Sequence, residues 1–196
     1  MSEVCELFRR AYALIADLWC NPQDVEAKRV AEDVRGISHL LGRVDQEAAA
    51  YLEQFLAHYP PSEEEYVELF ELNPRCPLYL GSHAFEEPKT CAQAAVSDRN
   101  EYMIELIGIY KHFGLGLAGR ELPDYLPLMV EFLALTVDVE VPIRRKFVQE
   151  YFLPFLPALR ERLVTLNSPY LHLLDGLERL LKLDLEVRMK EEAHHV

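Results

Sequence analysis

Residues 3–22, EVCELFRRAYALIADLWCNP, decide the fold class. Val4, Leu7, Phe8, Ala11, Tyr12, Ile15, Leu18 and Trp19 recur at intervals of three and four, which places them on one stripe of a helix, and Asn21-Pro22 ends the segment. The same period continues outward along the chain. A second helix is predicted from about Asp24 to Leu41, with Val30, Val34, Ile37 and Leu41 inward and Gly42 as its stop. A third spans about Asp45 to Tyr59 through Ala48, Leu52, Phe55 and Leu56, and Pro60-Pro61 closes it. Ser62 followed by Glu65 forms a capping box, so a helix of two or three turns starts at Glu63 and carries Tyr66, Leu69 and Phe70.

Periodicity fails over 73–88, where Asn73-Pro74, Pro77 and Gly81-Ser82 punctuate a loop rich in large apolar side chains. A long helix is expected from about Lys89 to Phe113, ended by Gly114, Gly116 and Gly119, and a second loop covers 114–122. The next helix, about Asp124 to Val137, opens on Pro123, with Pro127 still in its first turn, where a missing amide hydrogen is tolerated. Two helices follow at about Ile143 to Leu166 and Tyr170 to Lys190, the former kinked or split by Pro154 and Pro157. Neither strand alternation nor a repeat is visible. The reading is an all-α, single-domain helical bundle over 1–196, with two exceptional loops.

Composition bounds the function. Half of the 196 residues are hydrophobic and 27% charged, enough to bury a proper core. Twenty basic against 33 acidic residues give a net charge of −13, a field that repels phosphate backbones and anionic lipid and attracts basic peptides. Nucleic acid is excluded as a partner on that ground. The N-terminus lacks a basic-then-apolar leader, and charges interrupt the apolar runs short of a membrane span, so a cytoplasmic protein without membrane insertion is expected. Cys5, Cys20, Cys76 and Cys91 are too few and too scattered for a disulfide framework and are expected to be reduced.

Three kinds of chemistry are tested against the motifs. Gly114, Gly116 and Gly119 spell G-x-G-x-x-G, but a helix precedes them and no strand does, so they read as a helix-terminating loop rather than a dinucleotide site. No pair of cysteines or histidines has the spacing that puts two metal ligands on one turn. Ser38-His39 and Ser82-His83 are sequence neighbours whose side chains diverge, with no nucleophile elbow around either. What remains is Tyr66 to His83, YVELFELNPRCPLYLGSH, and Glu121 to Phe132, ELPDYLPLMVEF. Their residues suit two uses: loop side chains tucked into the core, or a peptide groove whose apolar walls supply affinity and whose carboxylates select basic side chains.

These same residues carry a resemblance. Tyr66-Val67-Glu68-Leu69-Phe70, Cys76-Pro77-Leu78-Tyr79-Leu80 with Ser82-His83, and Glu121-Leu122-Pro123-Asp124-Tyr125-Leu126-Pro127 with Glu131-Phe132 resemble the nitrate reductase delta subunit branch of the TorD-like redox enzyme maturation proteins. The likeness extends to ALIADLWCNP near the start and FLPFLPALRERL late in the chain. Sister branches usually have Asp-His where Asp124-Tyr125 stands, so roles tied to that histidine do not transfer. Pro77 and the Gly81-Ser82-His83 turn also differ from the Thr-Tyr that nitrate reductase members often show.

The resemblance implies a non-catalytic cytoplasmic chaperone. It would bind the immature catalytic subunit of a molybdenum oxidoreductase through that subunit's N-terminal leader, a twin-arginine signal or its remnant, and hold it open for cofactor insertion. No cofactor is expected to stay on this chain; the molybdenum cofactor belongs to the client. The implied peptide-binding residues are Tyr66, Phe70, Tyr79, Ser82, His83, Pro123, Asp124, Tyr125, Pro127 and Glu131. A monomer or a helix-swapped dimer hinged at 114–122 is the expected state. A generic helical adaptor and, behind it, a nucleotide hydrolase are the competing classes.

Overall fold

The computed structural model describes residues 3–85, 97–119, 121–139 and 142–194. Among them the architecture is all-α: α1 (Glu3–Leu18), α2 (Ala27–Leu41), α3 (Gln46–Leu56), α4 (Glu63–Phe70), the single turn α5 (Gly81–Ala84), α6 (Asp98–His112) and α7 (Leu126–Leu135). The chain then runs through α8 (Pro142–Lys146), α9 (Leu156–Thr165) and α10 (Tyr170–His194). The only pairing of strand type among the described residues is an isolated bridge between Tyr79 and Tyr125. No helix among them is long and apolar enough to cross a membrane.

The local signals act as their chemistry requires. Asp45 caps α3 by accepting from the Ala48 N–H, and Ser62 and Glu65 close a reciprocal capping box at α4. Gly114 takes the left-handed conformation at φ 72° after α6, which a side chain would resist. Between α8 and α9 the helix widens to a π-helix over Phe147–Phe152 and tightens to a 3-10 turn over Leu153–Phe155, where Pro154 denies the ladder a donor. The long helix expected from Lys89 starts at Asp98, capped by Ser97; residues 89–96 of that expectation lie outside the described residues.

Helix α1 packs on α7, α2 and α10, while α3 packs on α10 and α2. Trp19, Phe55, Tyr66, Phe70 and Tyr170 form one aromatic cluster, with the Phe70 and Tyr170 centroids 4.7 Å apart in an edge-on pair. Burying each such ring withdraws apolar area worth roughly 25 cal/mol per Å² from water. Arg144 and Asp184 are buried and paired at 2.8 Å.

Candidate functional site

The two segments singled out in the sequence meet through their backbones. The Leu80 N–H donates to the Asp124 carbonyl at 3.0 Å and the Leu126 N–H to the Leu78 carbonyl at 2.8 Å, a short antiparallel crossing that pins the first loop to the start of α7. Tyr79 and Tyr125 face each other across it, with ring centroids 5.4 Å apart. Outside the crossing, the Tyr79 hydroxyl donates to Glu121 Oε2 at 2.5 Å. Inside it, Asp124 is fully buried.

Asp124 holds the crossing together. Its Oδ2 accepts from the Gly81 N–H at 2.9 Å, and Arg99 stands 3.9 Å from the same oxygen. The approach is close: a Cβ at position 81 would meet Oδ2 at 2.8 Å, so glycine is what lets this carboxylate reach the backbone. Burial raises the Asp124 carboxyl above the ordinary carboxylate range, against the opposing pull of the Gly81 amide and Arg99. The expected helix from Asp124 begins two residues later. Tyr125 is extended at the N-cap with no side-chain cap, because its backbone is committed to the crossing and the Asp124 carboxylate to Gly81.

A groove of about 550 Å³ opens beside this junction. One wall is the Ala13, Ala16, Asp17 and Cys20 row at the end of α1; the opposite wall is Pro127, Leu128, Glu131, Phe132 and Leu135 on α7. Residues 115–119 and Glu121 border it, and Tyr125 closes one end. The lining is apolar at the base, with Leu117 and Leu135 exposed at 37% and 53%. Its ionisable groups are the carboxylates of Asp17, Glu121 and Glu131, the Cys20 thiol and the phenols of Tyr110 and Tyr125. No cation among the described residues is paired with those three carboxylates. Burial pushes the Cys20 thiol up to about 11, helped by the negative field of Asp17, Asp24, Glu131 and Glu121 around it. Burial likewise raises Asp17 above its ordinary value.

The ten residues expected to bind peptide divide by position. Tyr125, Pro127 and Glu131 line the groove, and Tyr79 backs Tyr125 and Glu121 at its rim. Tyr66 and Phe70 are core: the Tyr66 hydroxyl donates to the Trp19 carbonyl at 2.7 Å, beneath Tyr125. Pro123 is buried and its carbonyl accepts from the Tyr110 hydroxyl at 2.7 Å. Asp124, at zero exposure, presents no surface to a ligand in this conformation. Ser82 and His83 turn into their own loop, Ser82 Oγ donating to the Tyr79 carbonyl and His83 Nε2 to that of Pro77, each at 2.6 Å.

The sequence passes over Asp17 and Cys20; it singles out the loop 114–122 and the segment from Glu121 without naming Glu121 or residues 115–119 as peptide-binding. The available signal was the row Ala13, Ala16-Asp17, Cys20, small and polar residues at helical spacing beside the large apolar stripe of α1. No grouping of histidine, cysteine and carboxylate residues capable of holding a metal occurs among the described residues, and Cys91 lies outside them. Cys20 and Cys76 are free thiols.

The sequence is similar to known proteins. Residues 43–174, about two thirds of the chain, match the family described as nitrate reductase delta subunit. The chain is 34% identical over 119 residues to the nitrate reductase molybdenum cofactor assembly chaperone NarJ of Escherichia coli K12, covering 61% of this chain and 45% of NarJ. It is 32% identical over 118 residues to the probable nitrate reductase molybdenum cofactor assembly chaperone NarW of the same strain, covering 60% of this chain and 46% of NarW. The matched stretch therefore spans less than half the length of either relative.

Proposed function

This chain belongs to the nitrate reductase delta subunit family, and from that premise we propose that it is a dedicated, non-catalytic assembly chaperone for a nitrate-reductase-like molybdenum enzyme. In this reading it works in the cytoplasm, takes the N-terminal leader of the immature catalytic subunit into the α1–α7 groove, and keeps the subunit open until its molybdenum cofactor is inserted. The cofactor stays with the client.

One observation carries the assignment: an open apolar groove ringed by Asp17, Glu121 and Glu131, with no cation of the described chain paired to any of them. Carboxylates around an apolar surface, with no cation among the described residues beside them, suit a segment that combines guanidinium and apolar side chains, as a twin-arginine leader or its remnant does. Guanidinium presents a planar fork that two carboxylate oxygens match, and charge-assisted bonds of this kind are about twice as strong as neutral ones. An exposed ion pair contributes only about 0–1 kcal/mol, so affinity comes mainly from apolar contact with the floor and the charges select the ligand. Long-range attraction by the net charge of −13 speeds encounter and weakens with salt.

Calorimetry with the N-terminal peptide of the client, the apo-subunit and the mature enzyme tests this reading. Binding of peptide and apo-subunit at about micromolar affinity, with the mature enzyme at least tenfold weaker, is the expected result. Equal binding to the apo and mature forms makes the protein an adaptor for folded partners instead.

A further inference from the structure

Glu121 is the one groove carboxylate whose direction is set by a neighbouring side chain. The Tyr79 hydroxyl donates to its Oε2 at 2.5 Å, while no such donor meets Asp17 or Glu131 among the described residues. Tyr79 is itself held twice. Its backbone is part of the crossing with Tyr125, and its ring lies against the Tyr125 ring. Tyr125 in turn rests beside the hydroxyl of Tyr66, which donates to the Trp19 carbonyl in the core. A chain of three tyrosines thus connects the aromatic core to an exposed carboxylate at the groove's rim.

We propose that Tyr79 is a positioning residue that fixes the Glu121 carboxylate over the groove and thereby sets its preference for guanidinium-bearing ligands. This rests on the reading of the groove as a leader site. An exposed glutamate ordinarily samples several rotamers, and ordering it on binding costs on the order of 1 kcal/mol of side-chain entropy. The bond to Tyr79 removes much of that freedom before the ligand arrives. It occupies Oε2 and leaves Oε1 free to accept from an incoming N–H donor. Burial and the Glu121 bond push the Tyr79 hydroxyl up to about 12, so it remains a donor throughout the physiological range.

The test uses a short synthetic peptide with an Arg-Arg pair followed by leucine and phenylalanine, and a second peptide in which both arginines are citrulline. Each is titrated into wild type, Tyr79→Phe, Glu121→Gln and the double variant, at low and high salt, with thermal melts alongside. Tyr79→Phe is expected to weaken the arginine peptide about three- to tenfold, leave the citrulline peptide within about twofold, and flatten the salt dependence. The double variant is expected to match Glu121→Gln within about twofold, since both changes remove one arrangement. Equal losses for both peptides, additive losses in the double variant, or an unweakened Tyr79→Phe would each overturn the positioning role. A wild type that binds neither peptide overturns the leader site itself, and the positioning role with it.

Discussion

Two carboxylate clusters share the helix α1, and they are built in opposite ways. On one face, Asp184 sits at 1% exposure and accepts from the Tyr12 hydroxyl at 3.0 Å, Arg144 at 2.8 Å and Arg188 Nε at 2.7 Å. Arg144 also donates to Thr136 Oγ1, and Arg188 to the Val137 carbonyl, so the ends of α7, α8 and α10 are tied to α1 around one charge. On the other face, Asp17, Glu121 and Glu131 surround an open groove, and no cation of the described chain answers them. The first cluster is buried and its charges answer one another, with only Arg144 Nη1 left without a hydrogen-bond partner among the described residues, so it holds the fold. The second has its affinity left over for something outside.

Breaking the closed cluster should have the largest effect. Arg144→Ala leaves Asp184 buried with one guanidinium instead of two, and removing a partner from a buried ion pair costs about 3–5 kcal/mol. Urea unfolding measures it. A loss under about 1 kcal/mol would show that Arg188 alone satisfies Asp184 and that the contrast between the clusters is overdrawn.

Next comes Asp124, which joins the two regions without belonging to either. Asp124→Ala strands the buried Gly81 amide and is expected to cost about 1–3 kcal/mol, whereas Asp124→Asn keeps an oxygen for it and should cost far less. The pH dependence separates charge from contact. Burial raises this carboxyl in the folded state, so the folded protein holds its proton to higher pH than the unfolded chain does. Stability should therefore fall as pH rises from the ordinary carboxylate range through the raised value, and Asp124→Asn should remove that component. Melts across the acidic range that superimpose for wild type and Asp124→Asn would sink this account.

How much of this was readable beforehand depends on what each residue's role rests on. Local chemistry was legible: the apolar stripe of α1, the Ser62–Glu65 box and the breaks at Gly114 and Pro154 act within a few residues of themselves. The two odd segments were also legible as belonging together, because their aromatics and prolines exceed what a helix needs. Their depth was not. Asp124 reads as an exposed helix-start acid, yet it is buried because Gly81, 43 residues away, admits it to its backbone. Asp17 and Cys20 read as the tail of a core helix, and only the packing of α7 beside α1 turns their row into a wall. The family likeness reached both, since ALIADLWCNP contains them, but it assigned neither a role, and they precede the residues 43–174 that match the family model.

The open cluster is sharpened by removing its charges without altering its shape. Asp17→Asn with Glu131→Gln should leave stability within about 0.5 kcal/mol, because no cation among the described residues is paired with either carboxylate. The same pair should weaken an Arg-Arg peptide about tenfold at low salt and reduce the salt dependence of binding. Intact affinity would mean that the apolar floor alone selects the ligand.

The smallest effects concern two glycines that look alike in sequence and differ in space. Gly114 has φ of 72° and ends α6, so Gly114→Ala forces a side chain into the left-handed region and should cost about 1 kcal/mol or slightly more. Gly116 lies outside that region and nothing sits within 4 Å of where its Cβ would stand, so Gly116→Ala should be neutral or slightly stabilising by thermal melt. Gly116 borders the groove, however, and its missing side chain keeps that border low. Gly116→Val should then weaken peptide binding by severalfold while the fold melts as before, the reverse of what Gly114→Ala does. If Gly116→Val binds peptide as tightly as wild type, the 115–119 border does not touch the ligand, and the groove is read by α1 and α7 alone.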